Sequence, residues 1–202
     1  MLGPLDTLAA ECYTVSMNIA QQIHATTDFT VYLNEAKAVA QLTFEQLGMP
    51  ELIDKVDFEL NNRIVRRAAD ASVRIYYNGK RGRIRLGTKY LALAGEEDRV
   101  QTFIHEAVHI VDGFANPDTW NLRGGHNRSW YELMRKAGVT NPSPCHTVDM
   151  SAFRPTYRHL CACGKIVTLT AHKAGLIRNH TRGYLCPKCR SRIEYRNLVK
   201  AN

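Results

Sequence analysis

His105, Glu106 and His109 stand as H-E-x-x-H in a chain of 202 residues that holds only eight histidines. A chain of this composition carries that spacing by chance on the order of 0.015 times. Residues i and i+4 of a helix stack on one face, so both imidazoles can reach a single Zn²⁺. Glu106 lies beside the first ligand, placed to take a proton from water at the metal without binding the metal itself. A catalytic zinc takes three protein ligands and keeps one position open. Downstream, Asp112, Asp118, His126 and Glu132 offer donors. Asp112 shares the face of His109 but lies too far along it to close a compact site, and suits a supporting role. Glu132 is accounted for by a capping box with Ser129. His126 follows Gly124-Gly125 and stands just before a helix, from where the chain can fold back over His105 and His109; it is the expected third ligand.

A second group of donors lies further on. Of the six cysteines, Cys12, Cys145, Cys161, Cys163, Cys186 and Cys189, the last four form the pairs C-x-C and C-P-K-C. Four thiolates make a closed tetrahedral site with no place for water, so this zinc would be structural. Gly164 and Pro187 suit the tight turns such a site needs, and His172 or His180 could replace one thiolate. The N-terminus lacks a basic stretch followed by a long apolar one, so a reducing, cytoplasmic setting is expected and metal ligation is preferred to disulfides. Cys12 belongs to an apolar stripe, and Cys145-His146 reads as incidental in a linker.

Charge is divided unevenly. Residues 151–202 hold 11 Lys and Arg against Glu194 alone, whereas residues 1–150 hold 16 against 18 acids. A basic segment attracts polyanions, and tyrosines among the cations can stack bases. Lys173, Arg178, Arg182, Lys188, Arg190 and Arg192, with Tyr157, Tyr184 and Tyr195 nearby, are the expected contacts to single-stranded or distorted DNA, which would keep the protein at DNA or the nucleoid. At 45% hydrophobic and 23% charged residues the chain is too apolar to be wholly disordered. No window reaches the roughly 18 continuous apolar residues of a membrane span.

Several elements must position these groups. Leu8, Cys12, Val15, Ile19 and Ile23 fall on one helical stripe after a cap at Asp6, and a second helix runs from near Asn34 to Gly48. Residues 51–69 are expected to be largely helical. Ser72–Tyr77 and Arg83–Leu86, joined at Asn78-Gly79, read as a hairpin. The H-E-x-x-H helix spans Asp98–Asp112 with Gly113 as its stop. A helix capped by Ser129 and Glu132 follows, ending at Gly138. Pro142, Ser143, Pro144 and Pro155 then mark a boundary within residues 140–158.

The compound pattern resembles the SprT-like (Spartan-related) zinc metalloprotease family. It is carried by His105-Glu106-x-x-His109, then His126 opening a helix with Trp130, Leu133 and Met134, then paired cysteines. Asn62-Arg63, Ala69-Asp70 and Ile84-Arg85-Leu86 match the family's lead-in, over roughly residues 55–195 in all. Where the family often has Gly after the third histidine, this chain has Asn127. The resemblance implies an α+β, zincin-like metalloprotease domain over residues 51–145 and a small C-terminal zinc ribbon over residues 155–202; the N-terminal helical segment over residues 1–50 lies outside it, and its role is open. It also implies peptide hydrolysis with two zinc ions, for several members directed at DNA-bound or DNA-crosslinked proteins. Tyr131, His159 and Arg123 are open candidates for stabilising the oxyanion. A nucleic-acid-binding zinc protein with a scaffold-like zincin site is the alternative.

Overall fold

Alternating apolar and polar residues produce three strands, and the three make one sheet. The computed structural model describes residues 24–25, 27–120, 122–153 and 156–200. In it β1 (Val56–Asn61), β2 (Ala69–Tyr76) and β3 (Gly79–Gly87) lie in the order β1-β3-β2. β2 and β3 form the hairpin around Asn78, with Tyr76 opposite Gly79. β1 runs parallel to β3, pairing Val56 with Gly82 and Leu60 with Leu86. The expectation of helix over 51–69 is therefore wrong. Only Pro50–Lys55 coils, as a short 3₁₀ helix. Val56, Phe58 and Leu60 recur with period two, and pairing along β3 satisfies the backbone of a stretch whose composition alone leaves helix and strand close.

The helices of this part are α1 (Thr30–Gln46), α2 (Thr88–Leu91), α3 (Glu96–Ala115) and α4 (Arg128–Lys136). α3 begins with Glu96, Glu97 and Asp98 in its first turn, where carboxylates offset the helix dipole. It packs against β2 and β3, against α1 and against α4. Phe103, Ala107, Ile110 and Val111 of α3 are buried, as are Ala36, Ala40 and Phe44 of α1 and Ile84 and Leu86 of β3. Trp130 and Met134 of α4 close on Val108. The Arg99 guanidinium meets Glu35 of α1 at 3.1 Å, and Gln46 donates to the Lys136 carbonyl at 2.7 Å.

Gly113 does not stop α3, which continues to Ala115. Its role is steric. A Cβ at Gly113 would lie 2.6 Å from the Val73 Cγ2 of β2, closer than carbon atoms approach. The missing side chain lets helix and sheet touch.

The chain divides into two compact units, residues 1–150 and residues 151–202. The second contains β4 (Thr156–Leu160), β5 (Ile166–Thr170), α5 (Ala171–Arg178), β6 (Tyr184–Leu185), β7 (Arg192–Ile193) and β8 (Val199–Lys200). Its strands form a β5-β4-β8 sheet and a β6-β7 ribbon. The apolar core is small: Leu169, Ile177 and Ile193, with Val167, Tyr184 and Leu198 against them. The N-terminal stripe from Leu8 to Ile23, with Cys12, lies outside the described residues. Among the described residues no helix is long and apolar enough to cross a membrane.

Valine in place of Gly113 tests the helix–sheet contact. Valine is not a poorer helix former than glycine, so any loss comes from overpacking against Val73. Gly113→Val should lower stability by about 1–3 kcal/mol in urea denaturation.

Candidate metal centre

His105, Glu106 and His109 project from the middle of α3 and Asp112 from its last turn, on a helix enclosed by its neighbours. His109, Glu106 and Asp112 are buried. The loop after α3 returns His126 to the two helical imidazoles. The three Nε2 atoms stand 3.1 Å (His105 to His109), 3.3 Å (His109 to His126) and 3.1 Å (His126 to His105) apart. Three neutral imidazoles have too few ring protons to satisfy such a triangle by hydrogen bonding in addition to other partners. A tetrahedral ion with Zn–N bonds of about 2.0–2.1 Å spaces its nitrogens about 3.3 Å apart, so the triangle fits zinc. The His105 ring also donates to the Ser143 carbonyl, which leaves its Nε2 lone pair facing inward.

Close packing holds the loop against the rings. Gly125, at φ +84°, passes so near His109 that a Cβ would stand 3.0 Å from Cε1. Trp130 of α4 lies beneath all three ligands, with ring centroids 4.7 Å from His105, 5.5 Å from His109 and 4.7 Å from His126.

The residue that ties loop and helices together is Asp112. It is fully buried. Its carboxylate accepts from the Ser129 hydroxyl at 2.6 Å, from Asn116 Nδ2 at 2.7 Å and from Asn127 Nδ2 at 3.5 Å. The capping box expected from Ser129 and Glu132 does not form. Asn127 is the N-cap, its side chain accepting from the Trp130 N–H at 3.0 Å. Ser129 is drawn to Asp112, and Glu132 pairs with Arg128 at 2.8 Å. A buried carboxylate outcompetes an exposed cap for the hydroxyl, because leaving it unpaired costs more. Asn127 thus has a reason to be where it is: it caps α4, reaches Asp112 and adjoins His126.

Electrostatics follow from burial. Desolvation, and then the neighbouring imidazoles, hold His105 down at about 4 and His109 at about 2; desolvation also lowers His126. At neutral pH the rings are uncharged, with lone pairs free for a cation. Burial, with the Asp70 carboxylate nearby, pushes Glu106 up to about 8 against the pull of Arg67 and of the Ala71 N–H, which donates to it. Asp70 is itself held by Arg85 Nε at 2.7 Å and Arg67 Nη2 at 3.3 Å.

These groups open onto a cleft of about 390 Å³. Its walls include Arg67 to Ala71 at the start of β2 and a strap, Ser143–Thr147. His146 meets Tyr90 edge-on at 5.1 Å, and the Thr147 hydroxyl donates to Asp98 at 3.1 Å. The linker pair Cys145-His146 is not incidental: it forms part of the cleft wall. Nothing in its composition marks it, since the strap is placed by tertiary contacts. Tyr131 packs against Trp130 and does not line the cleft. His159 is buried in the second unit.

The second unit gathers Cys161, Cys163, Cys186 and Cys189, with all four sulfurs within 4.8 Å of one another. Cys161 and Cys189 Sγ are 3.3 Å apart, Cys163 and Cys186 Sγ 3.7 Å. Two tight turns present them. The Gly164 N–H donates to the Cys161 carbonyl at 2.8 Å, and the Arg190 N–H to the Cys186 carbonyl at 2.9 Å. Hydrogen bonds from the Ser191 hydroxyl and N–H hold the Cys189 thiol down at about 6. Neither His172 nor His180 joins the cluster. The four sulfurs suit a thiolate-bound zinc. Lys173, Arg178, Arg182, Lys188, Arg190 and Arg192 are all exposed. Lys173 and Arg182 stand 5.8 and 5.7 Å from the Tyr184 ring, and Arg178 stands 5.8 Å from that of Tyr195.

The model of the SprT-like family matches residues 34–150, from within α1 to just past the strap, a range that includes all three histidines. No curated protein matches the chain.

Two outcomes check this geometry. Asp112→Asn keeps the shape but turns one of the two acceptor oxygens into a donor, so that the three donors on Asp112 can no longer all be accepted. Zinc affinity of the histidine site should fall about 10–100-fold in a chelator competition. In metal-free protein the two helical histidines should contribute a loss of stability on acidification, opposed by Glu106, whose folded-state pKa of about 8 lies above its unfolded value. The folded-state pKa values of His105 and His109 lie below the unfolded 6.5, so unfolded chains take up protons first as pH drops from 6.5 through about 4. The urea midpoint of His105→Gln should therefore fall less between pH 7 and pH 4.5 than that of the parent.

Proposed function

The chain belongs to the SprT-like family, and on that premise we propose that it is a zinc-dependent metalloendopeptidase stimulated by DNA, acting on DNA-bound or DNA-crosslinked proteins. The observation that carries this reading is the triangle of His105, His109 and His126 Nε2 atoms beside the buried Glu106 carboxyl in one open cleft.

Zinc in that triangle would supply Lewis acidity, lowering the pKa of water and polarising a peptide carbonyl. The remaining work belongs to the chain. Glu106 is the group to take a proton from the attacking water onto a carboxylate oxygen and to return one to the amine nitrogen as the peptide bond breaks. Its high pKa without metal fits a group whose proton affinity must be large, and a cation nearby would draw it back towards ionisation. The Ala71 N–H fixes the carboxylate, the Ser143 carbonyl fixes the His105 ring, and Trp130 bars water from beneath. β2 and the Ser143–Thr147 strap bound the space for an extended chain.

The second unit serves this reading as a zinc ribbon that recruits nucleic acid. Four clustered thiols would hold a second, structural zinc, stabilising a module with few apolar residues. Exposed cations beside Tyr184 and Tyr195 suit phosphates and stacked bases.

The test compares the parent with Glu106→Gln, and with Arg178→Glu combined with Arg182→Glu, in zinc content and DNA-dependent hydrolysis of a DNA-binding protein. Glu106→Gln should retain both zinc ions and lose about 10²-fold or more in rate. The double charge reversal should keep zinc and basal hydrolysis but lose stimulation by DNA, with a shallower salt dependence of binding. Unchanged hydrolysis in Glu106→Gln would favour instead a nucleic-acid-binding zinc protein whose histidine site is a scaffold.

A further inference from the structure

The near-neutral charge of residues 1–150 is an average over two opposite regions. Residues 63–89 hold nine Lys and Arg and one acid, Asp70, while the rest of residues 1–150 holds seven against seventeen. The basic stretch is the β2–β3 hairpin with its approaches.

Strand register separates the compensated cations from the others. Val73 and Ile84 turn towards the core, so Ser72, Arg74, Tyr76, Arg81, Arg83 and Arg85 share the opposite face. At the root of the hairpin this face is balanced. Arg85 pairs with Asp70, and Asp57 and Glu59 of β1 stand next to Arg83 and Arg85. β1 begins at Val56, opposite Gly82, so it supplies nothing beyond that point. Towards the tip, Arg74 and Arg81 sit directly across from each other. Both are exposed, and neither forms an ion pair among the described residues. Like charges facing across a strand pair cost stability. Folding gives no reason to place them there.

The tip also leaves large side chains in water. Tyr77 is fully exposed at 102%, Ile75 is 70% exposed and Tyr76 is 46% exposed. Beside them lies a cleft of about 510 Å³ walled by Lys55, Asn78, Gly79, Lys80, Arg81 and Phe114: three cations and no carboxylate. Lys80 is fixed at its edge, donating to the Phe114 carbonyl at 2.7 Å.

We propose that the β2–β3 hairpin tip, through Arg74, Arg81, Tyr76 and Tyr77, is a binding surface for single-stranded nucleic acid within residues 1–150. Unopposed guanidinium groups meet phosphates, and free aromatic faces stack on bases of any sequence. Cations alone would suit an acidic peptide equally well; the exposed tyrosines favour a ligand with planar rings. The surface shares only its class of partner with the reading given above. It requires neither hydrolysis nor the cysteine unit.

The experiment uses zinc-loaded full-length protein and a labelled single-stranded oligothymidylate carrying 5-bromouracil. Irradiation should place crosslinks within residues 74–81. Tyr77→Ser should weaken binding about fivefold or more, the low end of one base–aromatic stack. Arg74→Gln with Arg81→Gln should reduce the slope of log affinity against log salt by about 1.4, or about 0.7 for each lost phosphate contact. Absence of crosslinks in 74–81 together with unchanged affinity would overturn the proposal. So would an effect of the arginine changes without one of Tyr77→Ser, if polyglutamate competed as well as the oligonucleotide; the hairpin would then be a dock for acidic protein. Loss of peptidase activity in Glu106→Gln leaves these readouts unmoved, so the two readings fail separately.

Discussion

Ionisable side chains inside a closely packed helix impose the governing constraint on residues 1–150. An unpaired buried polar group costs several kcal/mol, and a buried charge costs more. α3 buries Glu106, His109 and Asp112 together, and the surrounding architecture supplies a different answer for each. The imidazoles are kept neutral. The Asp112 carboxylate receives three donors from Asn116, Asn127 and Ser129. Glu106 is given one backbone N–H and a cleft. Loop, cap and strap take their courses because those groups need partners.

Much of this was legible in the residues. The i, i+4 spacing of His105 and His109 fixes a shared helix face whatever surrounds it, and Asn78-Gly79 between β-forming runs specifies a hairpin locally. Close cysteine pairs converge because tight turns present them. What failed was settled by tertiary competition. Val56–Asn61 became a strand because β3 had an edge for it to pair with. Ser129 left the cap for Asp112, and Gly113, a stop signal by type, serves as a point of close approach. Pro142, Ser143 and Pro144 mark the Ser143–Thr147 strap as loop, but its place at the cleft has no local signal, since that is set by contacts to Tyr90, Asp98 and His105.

Charge shows how averaging hides organisation. Dividing the sequence at residue 150 makes the second unit the basic part and the first nearly neutral. Strand register resolves the first part into a root where Asp57, Glu59 and Asp70 accompany the arginines and a tip where, among the described residues, no carboxylate pairs with them. Net charge describes long-range attraction, whereas the local pattern decides which groups can meet a ligand.

Trp130 carries an optical consequence. The chain has two tryptophans, Trp120 and Trp130. One lies under all three imidazoles, and the other lines the same cleft. Indole emission responds to the charge state and rigidity of its immediate neighbours. Both tryptophans are thus concentrated where a cation would arrive, and the cysteine unit, which has tyrosines, has no tryptophan. Emission excited at the red edge of the protein band, where tryptophan alone absorbs, therefore reports on the histidine centre in unlabelled protein and can follow its filling and emptying in real time without a contribution from the thiol site.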